Sequence, residues 1–309
     1  MIVRGDEIEI QDIVSFMNSC FRTYREWNLT VEKFKVWLES DEGIKQENMF
    51  FYLCDNKIAG MIQIVERFVK IGDSFKSCAG IANVCTKQEF RGRGIAKKLL
   101  EEVLNYAKEN YEICALLAGY GELAHAIYRK YGFKDSYFTE YGIMLRDDLN
   151  STNIECPYIR KANEKDVKGI VNLYNNYILL TGLSGVIKRN ERYILEKFIK
   201  RTFWHTFFYS PEQGNVIVFD DGKLQGYAST LEGPRIGTVI VREIVGKDRD
   251  IVRDMLGYIF EKYNAKSLTI YAPPQELKLL NIETFRVPES YMFKDFHVKN
   301  AYIFYSDRW

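Results

Sequence analysis

Histidine is scarce in this 309-residue chain, with three residues in all, and there is no Cys-x-x-Cys pair. That absence leaves no His/Cys spacing suited to a zinc site. The six cysteines (Cys20, Cys54, Cys78, Cys85, Cys114 and Cys156) all precede residue 157 and form no pattern of a disulfide framework, so none is expected. An excess of either charge is also missing. The 43 basic and 42 acidic side chains give a net charge of +1, which provides no general field for nucleic acid or an anionic membrane. No run of about 18 uncharged apolar residues occurs. The first ten residues, MIVRGDEIEI, place Arg4, Asp6, Glu7 and Glu9 where a secretory signal needs apolar side chains. These absences predict a soluble, cytoplasmic protein that binds no metal, nucleic acid or membrane and works on something small. Oligomeric state is not legible in the chain.

The length suits two domains, each able to bury a core. Asp147–Pro157 is polar, ends in proline, and reads as a connection. The second half of the chain repeats the plan of the first. Ile13-Val14-Ser15-Phe16-Met17-Asn18 has a counterpart in Ile170-Val171-Asn172-Leu173-Tyr174-Asn175. The hairpin pattern Phe50–Ile64, turning at Asp55-Asn56-Lys57, returns as Asn215–Ser229, and a glycine comes after each turn, Gly60 and Gly226. A strand-to-helix junction from Gly80 returns from Thr238, with Ile95 matching Ile251 and Leu99-Leu100 matching Met255-Leu256. Three matches in one order at nearly one spacing imply a duplication. The predicted domains are 1–150 and 151–309. Each reads as strand, two helices, hairpin, strand, helix, strand, helix, strand, an α/β arrangement with a mixed sheet.

The first junction carries chemistry. GIANVCT is a predicted strand, and Ile95, Leu99, Val103 and Tyr106 mark the buried stripe of the next helix. Between them stand Arg91, Gly92, Arg93 and Gly94. Glycine lets the backbone approach a ligand closely, the first N–H groups of a helix lack internal partners, and both favour an anion there. In the second half the matching slot is Lys247-Asp248-Arg249-Asp250. An aspartate about 4 Å from a phosphate oxygen opposes it by roughly 4 kcal/mol at an effective dielectric near 20. One anion site is therefore expected, in the first half.

Arg91-Gly92-Arg93-Gly94-Ile95-Ala96 resembles the Arg/Gln-x-x-Gly-x-Gly/Ala signature of the GNAT superfamily of N-acetyltransferases, and HAIYRKYGFKD (125–135) resembles its Tyr-x-x-x-Gly-Phe closing segment. The duplicated plan, with the signature in the first copy, is similar to the Eis-type (enhanced intracellular survival) branch. That branch usually adds a sterol-carrier-protein-like domain, for which this chain is too short. The resemblance implies two tandem GNAT-like domains, each a mixed, mostly antiparallel sheet flanked by helices, the second degenerate. It implies acetyl-CoA as co-substrate, held by Val84, Cys85, Thr86, Arg91, Gly92, Arg93, Gly94, Ile95 and Ala96, and Tyr128 as the acid facing the leaving thiolate. The acceptor is then a primary amine of a small molecule or peptide.

The general base stays open between a water chain, Glu26 and the carboxylate of Trp309, the last by analogy with the Eis branch. Glu26 with Trp27 is the candidate wall for a cationic acceptor. Cys85 reads as a small buried hydrophobe, His125 as a solvent-side neighbour of Tyr128, and the basic run Lys188–Arg201 as a solvated helix face. The alternative function is a non-catalytic acyl-CoA sensor that contacts another protein. Aminoacyl transfer onto a cell-wall peptide fits less well with an intact pyrophosphate signature.

Overall fold

A computed structural model describes residues 1–149, 156–200 and 214–308. The first half runs β1 (Ile2–Arg4), α1 (Ile10–Cys20), α2 (Arg22–Trp27), α3 (Val31–Ser40), β2 (Ile44–Cys54), β3 (Lys57–Ile71), β4 (Ser74–Thr86), α4 (Ile95–Asn110), β5 (Ile113–Gly119), α5 (Leu123–Lys130) and β6 (Phe133–Leu145). After the connection, of which residues 150–155 lie outside the described residues, the order returns. It runs β7 (Ile159–Lys161), α6 (Val167–Leu180), α7 (Glu191–Ile194) continuing as a π-helix (Leu195–Lys200), β8 (Gly214–Asp220), β9 (Leu224–Glu232), β10 (Thr238–Gly246), α8 (Arg249–Lys262), β11 (Ser267–Ile270), α9 (Pro274–Leu279) and β12 (Thr284–Lys294). The repeat inferred from sequence is thus a repeat of elements, except that three helices, not two, precede the first hairpin.

Packing confirms the sequence match at the two junctions. A Cβ on Gly60 would lie 3.1 Å from Ile95 and 3.3 Å from Leu99; one on Gly226 would lie 2.9 Å from Ile251 and 2.8 Å from Met255. In both halves the glycine after the hairpin turn lets the main helix settle directly on the strand.

All described strands join one sheet in the order β1-β2-β3-β4-β5-β12-β6-β11-β10-β9-β8-β7. Only β4–β5 and β10–β11 are parallel; the other neighbours are antiparallel. This is a mixed α/β fold with a large, mostly antiparallel sheet flanked by helices. The two halves exchange their last strands. β12 lies between β5 and β6, pairing Glu289–Phe293 with Gly119–Ala115 on one side and Phe133–Gly142 on the other. β6 in turn pairs with β11.

Alternation divides the first half into two cores. Phe51, Met61 and Val65 pack under α1–α3, with Phe16, Met17 and Trp37. On the opposite face Ile62, Ile64, Leu116 and Met292 pack with Leu99 and Val103 of α4 and Tyr128 of α5. The α1–α3 face continues through Val69, Ala115, Tyr291 and Phe293 to α6 of the second half.

The basic run Lys188–Arg201, expected to be solvated, is corrected in part. Arg189 and Lys197 are buried. Arg189 bonds Glu243 at 2.5 and 2.7 Å and Asp307 at 2.8 Å, and its guanidinium stacks 4.0 Å from the centre of Tyr174. Lys197 reaches Asp41 at 2.8 Å, which also accepts two bonds from Arg67. Tyr193 joins the groups by donating to Asp307 at 2.8 Å and accepting from Lys197. Three cations and three carboxylates therefore balance inside the protein, between the halves. Buried charge is tolerated only when paired in this way, and the partners are too distant in sequence for a local pattern to reveal them.

Because β12 separates β5 from β6, residues 1–149 alone would leave both strands with an unpaired edge. Produced separately, neither half should give a cooperative thermal transition, whereas the halves produced together should co-purify as one folded species. Independent cooperative unfolding of residues 1–149 would contradict this arrangement.

Candidate active site

The site begins where β4 and β5 part. Their parallel pairing covers only Cys78–Ile81 with Ile113–Leu116, so β4 from Ala82 to Thr86 keeps its β3 partner but has no strand on its other edge. A β-bulge sits at the fork. Met61 pairs with Cys85 and Gln63 with Ala82, so Asn83 and Val84 together oppose Ile62, and Asn83 takes a left-handed φ of 49°. Asn83 holds this conformation through its side chain, accepting from Tyr24 Oη at 3.0 Å and donating to Gln63 Oε1 at 2.6 Å. The result is a fork at which the main chain of Val84, Cys85 and Thr86 has no strand on the β5 side, with the Thr86 hydroxyl buried and unpartnered among the described residues.

The loop beyond β4 ends in two glycines with left-handed backbones, Gly92 (φ 77°) and Gly94 (φ 74°), and around each the position of a Cβ is open space. Other residues adopt such φ values only at a cost. Gly94 is the N-cap of α4, and no side chain caps the helix. The first turn carries no acidic residue, and the N–H groups of Ile95, Ala96 and Lys97 have no partner among the described residues. Arg91 and Arg93 are exposed beside them, tethered by bonds to the carbonyls of Thr86 (3.2 Å) and Glu89 (3.4 Å). Open donors, two guanidinium groups and the helix dipole converge on solvent, a geometry suited to a phosphate-bearing ligand.

The second half lacks this arrangement. Helix α8 begins two residues earlier relative to its packing on the sheet, and its N-cap, Asp248, accepts from the Ile251 N–H at 3.0 Å. The donor that α4 leaves open is here bonded to a carboxylate of the chain itself. Next to it a cavity of about 510 Å³ is walled by Leu173, Tyr177, Ile244, Val252 and Leu280, an apolar space without the glycine cradle.

Tyr128 stands on α5, on the α4 side of the sheet, buried and edge-on to Phe133 at 5.9 Å. Its hydroxyl has no hydrogen-bond partner among the described residues, and burial pushes its pKa up to about 12. The phenol is therefore protonated across the physiological range. His125, expected on the solvent side, is instead buried, with Nε2 2.8 Å from Asp135 Oδ1, which also accepts from Ser290 of the exchanged strand at 2.5 Å.

The acceptor candidates are dispersed. Glu26 is exposed on α2 and paired with Arg22 at 2.6 Å. Trp27 is half-buried, with the ammonium of Lys33 4.4 Å from its ring centre. The carboxylate of Trp309 lies outside the described residues.

One cysteine expectation is overturned. Cys20, the last residue of α1, is disulfide-bonded to Cys85 on β4, with Cα atoms 6.3 Å apart. Cys85 is therefore not a free small hydrophobe. A separation of 65 residues and the absence of any motif hid the pair, which only the packing of α1 on the sheet creates. Closing a loop of this size stabilises the fold by about 4 kcal/mol in the chain-entropy model. Urea unfolding of Cys20→Ser should show a loss of that order, and reductant should destabilise the wild type but not the variant; equal stability of the two under oxidising conditions would contradict the structural role.

Among the described residues no group of three or more His, Cys, Asp or Glu could hold a metal ion, and no helix is long and apolar enough to cross a membrane.

Residues 2–135 match the family model of the acetyltransferase (GNAT) domain. No curated protein matches the chain in sequence. Solved structures resemble it in fold. A GCN5-related N-acetyltransferase from Kribbella flavida superposes with a TM-score of 0.73 at 18% identity, covering 95% of this chain and 70% of its own. A conserved protein of Enterococcus faecalis V583, described as a probable N-acyltransferase, gives 0.71 at 16% identity, covering 95% and 72%. Eis1 from Mycobacterium abscessus gives 0.59 at 14% identity, covering 85% and 70%. With the forked strands, the glycine cradle and Tyr128 all inside the matched segment, the chain carries a GNAT-family acetyltransferase domain in its first half.

Proposed function

We propose that the protein is an acetyl-CoA-dependent N-acetyltransferase that acts on a primary amine, with one cofactor site, in residues 1–150, and a degenerate GNAT-like second half, 151–309, serving as scaffold and substrate wall. The observation that carries this reading is the uncapped α4 N-terminus at Gly94, set beyond a bulged strand at the fork of the sheet. In this reading Arg91–Ala96 receive the pyrophosphate, and Val84–Thr86 line the pantetheine arm with main-chain groups that can steady a developing oxyanion.

The transfer forms one C–N bond and breaks one C–S bond. The acceptor, an ammonium near pKa 10 in water, loses a proton before its nitrogen attacks the thioester carbonyl, and the thiolate leaves. Tyr128 faces that leaving group. With its pKa at about 12 against about 8.5 for a thiol, full proton transfer in the resting environment is uphill by roughly 5 kcal/mol. Tyr128 therefore acts chiefly by donating a hydrogen bond to the departing sulfur, which takes its final proton from water.

Release of free thiol from acetyl-CoA tests the reading, with spermidine, an aminoglycoside and a lysine-containing tripeptide as acceptors. The wild type should turn over at least one amine, and Tyr128→Phe should lower kcat roughly 100-fold while leaving the acetyl-CoA KM within about threefold. Saturable binding of acetyl-CoA with no transfer to any amine, and no effect of Tyr128→Phe on slow thioester hydrolysis, would favour the acyl-CoA sensor instead.

A further inference from the structure

The first half supplies no carboxylate on β4, and Glu26 is engaged with Arg22 in solvent. The exchanged strand supplies one. Glu289 of β12 pairs with Gly119, the last residue of β5 and three residues beyond its final pair with β4, Leu116 with Ile81. At about 3.3 Å per residue, that places Glu289 about 10 Å beyond the start of the fork, alongside its mouth. Its register is regular from Glu289 to Phe293 on the β5 side, so its side chain shares a face with Tyr291 and Phe293. This is the face that continues under α1–α3. Tyr128 and α4 occupy the opposite face. The carboxylate thus stands at the opening from which an acceptor can reach a thioester held on the far side of the sheet.

Its surroundings are built to hold a negative charge while leaving part of it available. Oε2 accepts from the Thr139 hydroxyl at 2.8 Å and meets Arg308 at 2.7 Å. Oε1 has no hydrogen bond among the described residues, and the side chain keeps about a quarter of its surface exposed, at 24%. Arg308 also lies 4.3 Å from the ring centre of Tyr305, which shows that this corner accepts a cation against both a carboxylate and an aromatic face.

We infer that Glu289, delivered by the second half, is the acceptor-binding carboxylate: it docks the ammonium of a cationic amine through Oε1 at the mouth of the fork. This inference rests on the acetyltransferase reading above. The second half then does more than close the sheet, because it selects cationic acceptors over neutral ones. The bound ammonium gives its proton to water, and the free amine attacks from the position the carboxylate has set.

Steady-state kinetics of the full chain with spermidine, an aminoglycoside and a lysine-containing tripeptide test this. Glu289→Gln keeps the shape and the Thr139 bond but removes the charge. It should raise KM for the accepted amine at least tenfold and leave kcat at saturation and the acetyl-CoA KM within about twofold, with a lowered melting temperature from the lost Arg308 pair but a still cooperative transition. Glu289→Asp should fall between the two. An unchanged amine KM in Glu289→Gln would overturn the inference while leaving the acetyltransferase reading intact, and so would an equal rise in both KM values. A wild type that binds acetyl-CoA but acetylates none of the amines would overturn both.

Discussion

The insertion of β12 between β5 and β6 is the constraint on which the rest of the structure depends. It pairs with the far edge of β5 along Ala115–Gly119, so β5 stays anchored in the sheet where it has left β4, while the edges facing the fork remain open. It also makes the two halves structurally inseparable. One side of the fork belongs to the first half, β4 and its bulge, while the other is backed by a strand from the end of the chain. The buried group of Arg189, Glu243, Asp307, Lys197, Asp41 and Arg67 acts in the same sense. Its members come from both halves, and removing any one would leave an opposite charge buried without its partner, which is more costly than the pair is stabilising.

The two halves show how little separates an open helix N-terminus from a closed one. Both halves keep a glycine under the main helix, a parallel strand pair that ends early, and the same order of elements. They differ at the helix N-terminus. Gly94 adopts φ 74° and leaves donors open, whereas Asp248 takes an extended backbone and bonds the donor itself. The same orphan N–H groups are satisfied from within in one copy and left open in the other.

Much of the fold and part of the candidate site's backbone geometry were legible in the sequence because their determinants are local. The hairpin turns at Asp55-Asn56 and Asp221-Gly222, the apolar stripe from Ile95, and the glycines before it each act within a few residues, and the structure agrees with them. The hidden features depend on residues brought together from far apart. No local signal tells that β12 pairs with β5, that Cys20 meets Cys85, or that Arg189 finds Glu243 and Asp307; a basic run looks solvated until its partners are known. His125 misled although its partner Asp135 is only ten residues on, because the two meet only through the packing of α5 on β6. The bulge at Asn83 left a faint trace, a polar residue with a tolerance for positive φ inside an apolar strand.

One anion cradle per chain, at Gly94, is the central claim. Calorimetric titration of acetyl-CoA into the wild type and Gly94→Asp tests it most directly, since the substitution brings an N-cap carboxylate like that of the second half to α4 and forces a non-glycine residue to φ 74°. One saturable site per chain is expected in the wild type and none in the variant. Two sites per chain, or binding that survives the substitution, would contradict it.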